Sequence, residues 1–425
     1  MLDNEPSEKD FKNIVPSSKN TIYISEERLN DMKNEYINKI KNKYSKYSSI
    51  YYRFKSSKCI NYLKELNLKF CGVKKMTLMK KNNCPNKVNL NDILQSLFYI
   101  NELENNLVYL KLFFDFFEGC KVYRNVFENI DKFKSLRYLY IRNIIFFDNI
   151  IKIRNLKLFY CENCKSVTIK DSELRKLLYI SNNVSNIDFI CDASFNKLTE
   201  LDLFNNSISD INILEKTKFD KLNILDLGMN YISNIDILEN VDFKKLKILN
   251  LYNNDITDIS ILEKVNFPKL EELYLGRNNI SNINILENVN FKNLKTLNLS
   301  GNNISDINVL EKVKFEGLEK LNLSSNKLSN LNNLEKAKFY KLKELYLNNN
   351  EIFESLKVLK YVQFTKLKIL DLSNIKMTNI KILKDINANI NFPVLSKLLL
   401  INSINYEEHR KLEKYYKSKS FKILY

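Results

Sequence analysis

His409 is the sole histidine of this 425-residue chain, and it falls among charges in the stretch Tyr406 to Tyr416. A serine or cysteine nucleophile elsewhere would therefore lack its usual activating base. Cys161 and Cys164 form a Cys-x-x-Cys pair, but no second pair and no nearby histidine completes a metal site. The seven cysteines all lie between Cys59 and Cys191, an odd number that argues against a disulfide framework. With six glycines, no Gly-x-Gly-x-x-Gly and no Gly-Lys-Ser/Thr loop, there is no phosphate cradle. Adjacent acids such as Glu271 and Glu272 would point to opposite faces of a strand. The chain therefore reads as non-enzymatic, with no catalytic, cofactor-binding or metal residue and no cofactor.

The chemistry that remains is recognition. Phe204, Met229, Tyr252, Tyr274 and Arg277 combine the aromatic and arginine types that dominate binding hot spots, against a background of Asp202, Asp226, Asn250, Asn298, Ser300, Asn322 and Ser324. They are the candidate partner-binding residues. A second set is electrostatic. Between Lys39 and Lys87 fourteen lysines and arginines face Glu65 alone, which supplies most of the net charge of +17. Interleaved with Tyr44, Tyr47, Tyr51, Tyr52 and Phe54, this stretch offers Lys41, Lys43, Lys55 and Lys58 to nucleic acid or an anionic membrane surface. Its plainer account is solubility in a lysine-rich chain.

The recognition residues are placed by a repeat. Leu198, Leu222, Leu246, Leu270, Leu294, Leu318 and Leu342 stand 24 residues apart, each opening Leu-x-x-Leu-x-Leu-x-x-Asn-x-(Ile/Leu). In Leu-x-Leu the leucines share one side of a strand, so Leu297 and Leu299 point inward and Asn298 outward. Asn182, Asn206, Asn230, Asn254, Asn278, Asn302, Asn326 and Asn350 recur where the strand ends, and amide side chains can pair with backbone groups of adjacent turns, so they should form a buried ladder. The return half, as in Ile304, Ile307, Val309, Leu310, Val313 and Phe315, has apolar offsets suited to a short helix or 3-10 turn. Phe219, Phe243, Phe267, Phe291, Phe315 and Phe339 should stack as a spine.

This pattern is the signature of leucine-rich repeat proteins. The continuation Asn302-Asn303-Ile304-Ser305-Asp306-Ile307 resembles the phosphatase-regulating class and the bacterial internalins, both of which hold another protein on the inner face. The resemblance implies an α/β repeat solenoid: a horseshoe or arc with a concave parallel sheet and short helical or 3-10 convex segments. It also implies a protein-binding scaffold or regulatory adaptor, with the partner unnamed; the alternative is an anion-binding adaptor acting through residues 39–87.

Other parts of the chain repeat less regularly. Leu174, Leu177, Tyr179 and Asn182 make one more unit upstream; Ile153, Leu156, Leu158 and Cys161 make a shorter one, with Cys161 at the ladder position. Leu63, Leu66, Leu68 and Cys71 start another, and Leu107, Leu110, Leu112 and Leu136, Leu139, Ile141 fill the gap. Downstream, Ile375 and Ser403 stand where asparagine is expected. The expected organisation is a poorly ordered segment at 1–20, a helical basic cap at 21–60 with Ser25 as N-cap, divergent repeats at 61–173, regular repeats at 174–366, divergent terminal repeats at 367–405 and a cap at 406–425. No apolar stretch is long enough to span a bilayer, and Met1 to Asp10 is polar where a secretory leader would be apolar, so cytoplasmic residence is the expectation.

Overall fold

The computed structural model describes residues 105–113, 120–122, 130–152, 155–170, 173–191, 195–377, 383, 392–416 and 422–424, with strands at 21–25, 49–54 and 75–80. The chain forms two compact units. Unit 1 comprises Met1–Val184 and Asp188–Leu198; unit 2 comprises Ser185–Ile187 and Thr199–Tyr425.

In unit 2 each repeat contributes one short strand: β11 (Glu200–Asp202), β12 (Ile224–Asp226), β13 (Ile248–Asn250), β14 (Glu272–Tyr274), β15 (Thr296–Asn298), β16 (Lys320–Asn322), β17 (Glu344–Tyr346), β18 (Ile369–Asp371), β19 (Lys397–Leu399) and β20 (Lys422–Leu424). Each is parallel to the next, with Leu201, Leu225, Leu249, Leu273, Leu297, Leu321 and Leu345 in one register row. That row is fully buried. Return segments are 3-10 turns, from Asn212–Lys216 to Asn332–Glu335. Each opens on an Asp or Asn whose side-chain oxygen accepts the N–H two residues on, at 2.7–2.9 Å from Asp210, Asn234, Asp258, Asn282, Asp306 and Asn330. Such a local bond competes with regular helix and fixes the turn. The added residue between Leu342 and Leu367 is taken up in a longer return, Phe353–Lys360.

Two internal columns tie the repeats together. Asn278 Nδ2 donates to the carbonyls of Leu251 and Leu275 at 3.0 Å and of Gly276 at 3.2 Å, while its Oδ1 accepts from Ile256 N at 3.0 Å. Asn230 and Asn302 bond in the same way. The phenylalanines form the other column, buried throughout, with ring centroids 6.2 Å apart for Phe219 and Phe243 and 6.3 Å for Phe243 and Phe267. Phe364 extends it, 6.3 Å from Phe339. Near the end, Ile375 is buried where asparagine would be, but the Ser403 hydroxyl does an amide's work: it donates to Leu372 O at 2.7 Å and accepts from Ile375 N at 3.1 Å. The helix α1 (Tyr406–Tyr416) follows, burying His409 and Leu412.

Unit 1 builds its main sheet from longer strands: β1 (Thr21–Ser25), β2 (Ser49–Phe54), β3 (Lys75–Lys80), β4 (Tyr109–Phe113), β6 (Tyr138–Arg142), β8 (Leu158–Glu162) and β10 (Lys176–Ile180), parallel in that order. The buried row runs through Met76, Leu110, Leu139, Phe159 and Leu177, and a second through Leu78, Leu112, Ile141, Cys161 and Tyr179. Here the return side also carries strands, β5 (Cys120–Val122), β7 (Ile144–Lys152) and β9 (Lys165–Lys170), in a parallel sheet of their own. Runs such as Ile-Ile-Phe-Phe and Val-Thr-Ile favour extended backbone over the Asx-initiated turns of unit 2.

Several expectations change in unit 1. Thr21–Ser25 and Ser49–Phe54 are strands, so the segment 21–60 is not simply helical; the helix expected after Ser25 lies outside the described residues. The shorter repeat is shifted by three residues from the expected register: Leu156, Phe159 and Cys161 are the inward set, and Cys164 takes the ladder position. Asn182 confirms the shift, donating to Cys161 O at 3.0 Å and accepting from Cys164 N at 2.6 Å. A shift by an odd number of residues exchanges the faces of a strand, and Phe159 supplies more apolar surface to bury than Leu158. Residues 1–20 and Leu63, Leu66, Leu68 and Cys71 lie outside the described residues. Among the described residues no helix is long and apolar enough to cross a membrane.

Candidate partner-binding surface

The outward side of the unit 2 strands is shaped by a second, shallower column. At the last strand position, Asp202, Asp226, Asn250, Asn298, Asn322 and Asp371 each accept the N–H two residues on, at 2.9–3.0 Å. These residues are thus half-buried turn-formers and not a bare polar background. Asn298 Oδ1 also accepts from the Ser300 hydroxyl at 2.7 Å.

Burial of that column perturbs its acids. The Asp202 carboxyl is pushed up to about 7, first by desolvation and then by the charge of Asp226, with the Phe204 N–H opposing. Asp202 and Asp226 are register partners on β11 and β12. Asp226 is also raised by burial, but Asn250 Nδ2 donates to both of its oxygens at 2.9 Å and holds the shift down. Tyr274 stands at the same position on β14, donates to Glu272 Oε2 at 2.5 Å and is raised above its ordinary value by desolvation and that carboxylate.

The candidate residues are distributed around this column. Phe204 and Tyr252 follow their strands by two residues, half-buried; the Phe204 ring leans over Gly228, where a β-carbon would come within 3.0 Å of it. Met229 and Arg277 lie in the turn beyond the strand, in the left-handed region at φ 53° and 51°. Their equivalents are Asn205, Asn253, Gly301, Ser325, Asn349 and Asn374 at the same backbone conformation, which asparagine and glycine adopt more readily. Met229 N donates to Tyr252 O at 2.7 Å, and the Arg277 guanidinium lies 5.7 Å from the Tyr252 ring centroid. The structure therefore gathers Met229, Tyr252 and Arg277, with Tyr274 one repeat on and Phe204 at the other end. Of the five, Tyr274 alone is within a strand.

One residue of this kind escaped the sequence reading. Tyr346 repeats the Glu-Leu-Tyr of β14, donates to Glu344 at 2.9 Å and has Lys320 Nζ 5.2 Å from its ring centroid. The identical tripeptide was the available signal. Lys41, Lys43, Lys55 and Lys58 lie outside the described residues. Cys161 and Cys164 are both buried; burial and the neighbouring Cys164 hold the Cys161 thiol well above its ordinary value, which disfavours the reactive thiolate. Among the described residues, no group of three or more His, Cys, Asp or Glu side chains could hold a metal ion.

Comparison with known proteins bears on this architecture. A family model described as Leucine Rich repeats (2 copies) matches residues 244–288, 268–312 and 292–336, and one described as Leucine Rich repeat matches residues 196–211. No curated protein matches significantly. An internalin, InlF, from Listeria monocytogenes superposes with a TM-score of 0.52 at 24% identity, covering 70% of this chain and 82% of its own. Internalin C2 of the same organism covers 53% and 81% at 22% identity with a TM-score of 0.35, and the plant peptide hormone receptor RGFR1, in complex with RGF2, covers 89% and 70% at 15% identity with 0.46. The InlF likeness, at 24% identity, speaks for the fold alone.

Proposed function

We propose, from the leucine-rich repeats matched at residues 196–211, 244–288, 268–312 and 292–336, that the chain is a non-catalytic leucine-rich repeat scaffold or adaptor that holds a protein partner on the outward side of the unit 2 strands. Phe204, Met229, Tyr252, Tyr274 and Arg277 are its contact residues. The observation that carries this reading is the pair Met229 and Arg277 in left-handed turns that asparagine, glycine or serine occupies in the other repeats. A long side chain at such a turn costs folding free energy, and backbone strain retained at a surface is a pointer to function. Met229 is 37% exposed, and Arg277 is stacked near an aromatic ring beside it, an arrangement suited to a partner's apolar surface. The repeats supply a rigid platform, since each strand is fixed by its neighbours through the asparagine column. A cytoplasmic setting remains part of the proposal.

The test is affinity capture from the source cell followed by mass spectrometry, comparing the wild-type chain with Tyr252→Ala/Tyr274→Ala. Proteins retained by the wild type and lost by the variant are the expected partners, and each anchor should be worth about 1 to 4 kcal/mol of binding. Identical retention by a variant with an unchanged melting temperature would remove this surface from consideration.

A further inference from the structure

Asp202 and Asp226 stand side by side at the ends of β11 and β12, half-buried, each accepting the N–H two residues on at 2.9 Å. Asparagine does the same turn-forming work at that position on β13, β15 and β16, at 2.9–3.0 Å. The fold therefore needs the acceptor oxygen, and the two carboxylates add only charge. That charge is unfavourable here. Like charges directly opposite one another destabilise a sheet, and burial followed by the charge of Asp226 pushes the Asp202 carboxyl up to about 7. The charged groups facing Asp202 are Asp226 across the ladder and Glu200 on its own strand, both acidic. Elsewhere in unit 2 acids have cations at hand, as with Glu271 between Lys247 and Lys295 at 3.1 and 2.6 Å and Glu344 against Lys320 at 3.0 Å. Among the described residues no cation acts on Asp202 or Asp226, although the chain carries a net charge of +17. An aromatic ring lies beside them: a β-carbon on Gly228 would meet Phe204 Cδ2 at 3.0 Å and Asp226 Oδ1 at 3.2 Å, so ring and carboxylate converge on one point of the surface.

We propose that Asp202 and Asp226, together with the Phe204 ring, receive a lysine or arginine side chain of the protein partner; this deepens the reading of the unit 2 surface and rests on it. Charge complementarity identifies the occupant. A cationic side chain relieves the repulsion between the two carboxylates, and an aromatic face attracts such a cation. A metal ion fits less well, because Asn250 Nδ2 already donates to both oxygens of Asp226 at 2.9 Å and leaves Asp202 as the open acceptor, where a bound metal needs several oxygens. A phosphate backbone carries the wrong sign. Arg277 does not fill the role from within: its guanidinium lies against the Tyr252 ring and is not among the charges that act on either aspartate. The partner's basic side chain would thus seat at the β11–β12 end of the surface, with Met229, Tyr252 and Arg277 meeting its neighbours.

The experiment uses the full chain with fluorescein-labelled decalysine and decaarginine, read by anisotropy at low salt; the tighter probe assigns the side chain. Both peptides should bind at pH 8 and weaken about fivefold at pH 6, as Asp202 takes up a proton while lysine and arginine keep their charge. Asp202→Asn keeps the acceptor for Phe204 N–H, so the variant stays folded; it should weaken binding about fivefold at pH 8 and remove most of the pH dependence. Phe204→Leu should weaken it about threefold by removing the ring. Asp220→Asn, at an exposed acid of the same unit, should leave binding within about twofold and so measures non-specific attraction. Absence of peptide binding, indifference to Asp202→Asn, or an equal loss with Asp220→Asn would each overturn the proposal. If partner capture were nonetheless lost with Tyr252→Ala/Tyr274→Ala, the unit 2 surface would stand without a cation site.

Discussion

Units 1 and 2 solve the same packing problem with different return segments, and the difference reaches their outer surfaces. In unit 2, Asx-initiated 3-10 turns hold a constant step, and every strand meets its neighbour with the same three register pairs. In unit 1 the starts Leu136, Leu156 and Leu174 are unevenly spaced, and β7 and β9 replace the turns. Unit 2 consequently uses asparagine as a repeated internal fastener, while unit 1 places Cys164 at one such position and relies on wider strand pairing. Outside, unit 2 alternates lysine with glutamate where unit 1 brings tyrosine rings together. A regular array can thus keep its surface neutral and present a few unusual side chains; an irregular one presents a broad chemical character.

The largest expected effect tests the fastener. Asn278→Ala leaves the buried N–H of Ile256 without its acceptor and takes one of two amide donors from each of the carbonyls of Leu251 and Leu275, and should cost about 3 kcal/mol in urea unfolding. Asn298→Ala loses the two bonds it accepts from Ser300, at a half-buried position, and should cost about 1 kcal/mol. Equal losses would dissolve the distinction between the buried and the shallow column.

Asp202 comes next. Its folded-state value of about 7 lies above the ordinary carboxylate range, so the folded protein keeps a proton that the unfolded chain has released. The associated stability is complete below about pH 4, declines as pH rises to about 7 and is constant above that. Asp202→Asn keeps the acceptor for Phe204 N–H and should raise stability by about 2 kcal/mol at pH 8, with little change at pH 4. A gain that is the same at both pH values would exclude the buried carboxyl as its cause.

A smaller gain is expected from the left-handed turns. Met229→Asn or Arg277→Asn should stabilise unit 2 by about 0.5 to 1 kcal/mol while weakening partner capture, since asparagine tolerates this backbone better. Loss of stability with intact capture would reverse the functional reading of the strain. The smallest effect concerns charge. Lys295→Ala should lower the melting temperature slightly, because this lysine bridges to Glu271. The change should fade in concentrated salt; a lasting loss would mean packing and not charge.

Much of unit 2 was legible beforehand. Leucine at fixed offsets, asparagine in register and phenylalanine at each return specify inward positions through the two-residue alternation of strands and the constant repeat step. The sheet, the two columns and the terminal helix follow from that pattern. The outward positions were less legible: the turn-forming role of Asn250 and Asn298 depends on a bond to the second following N–H, and the left-handed turn at Met229 and Arg277 is masked by side chains atypical of it. Unit 1 was harder still, because without a constant step Leu158 and Phe159 compete for the same inward place.

What the sequence by itself determined, then, was which residues of the regular repeats must turn away from water, because burial of a repeated apolar set admits one register. Tertiary structure decided the chemistry of the remaining positions. Asp202 acquires its raised proton affinity from burial and then from Asp226, one repeat away in sequence and adjacent across the sheet; Glu162 finds Arg142 for the same reason. Desolvation and electric field depend on distance through space, and residues far apart along the chain become neighbours only when the repeats stack.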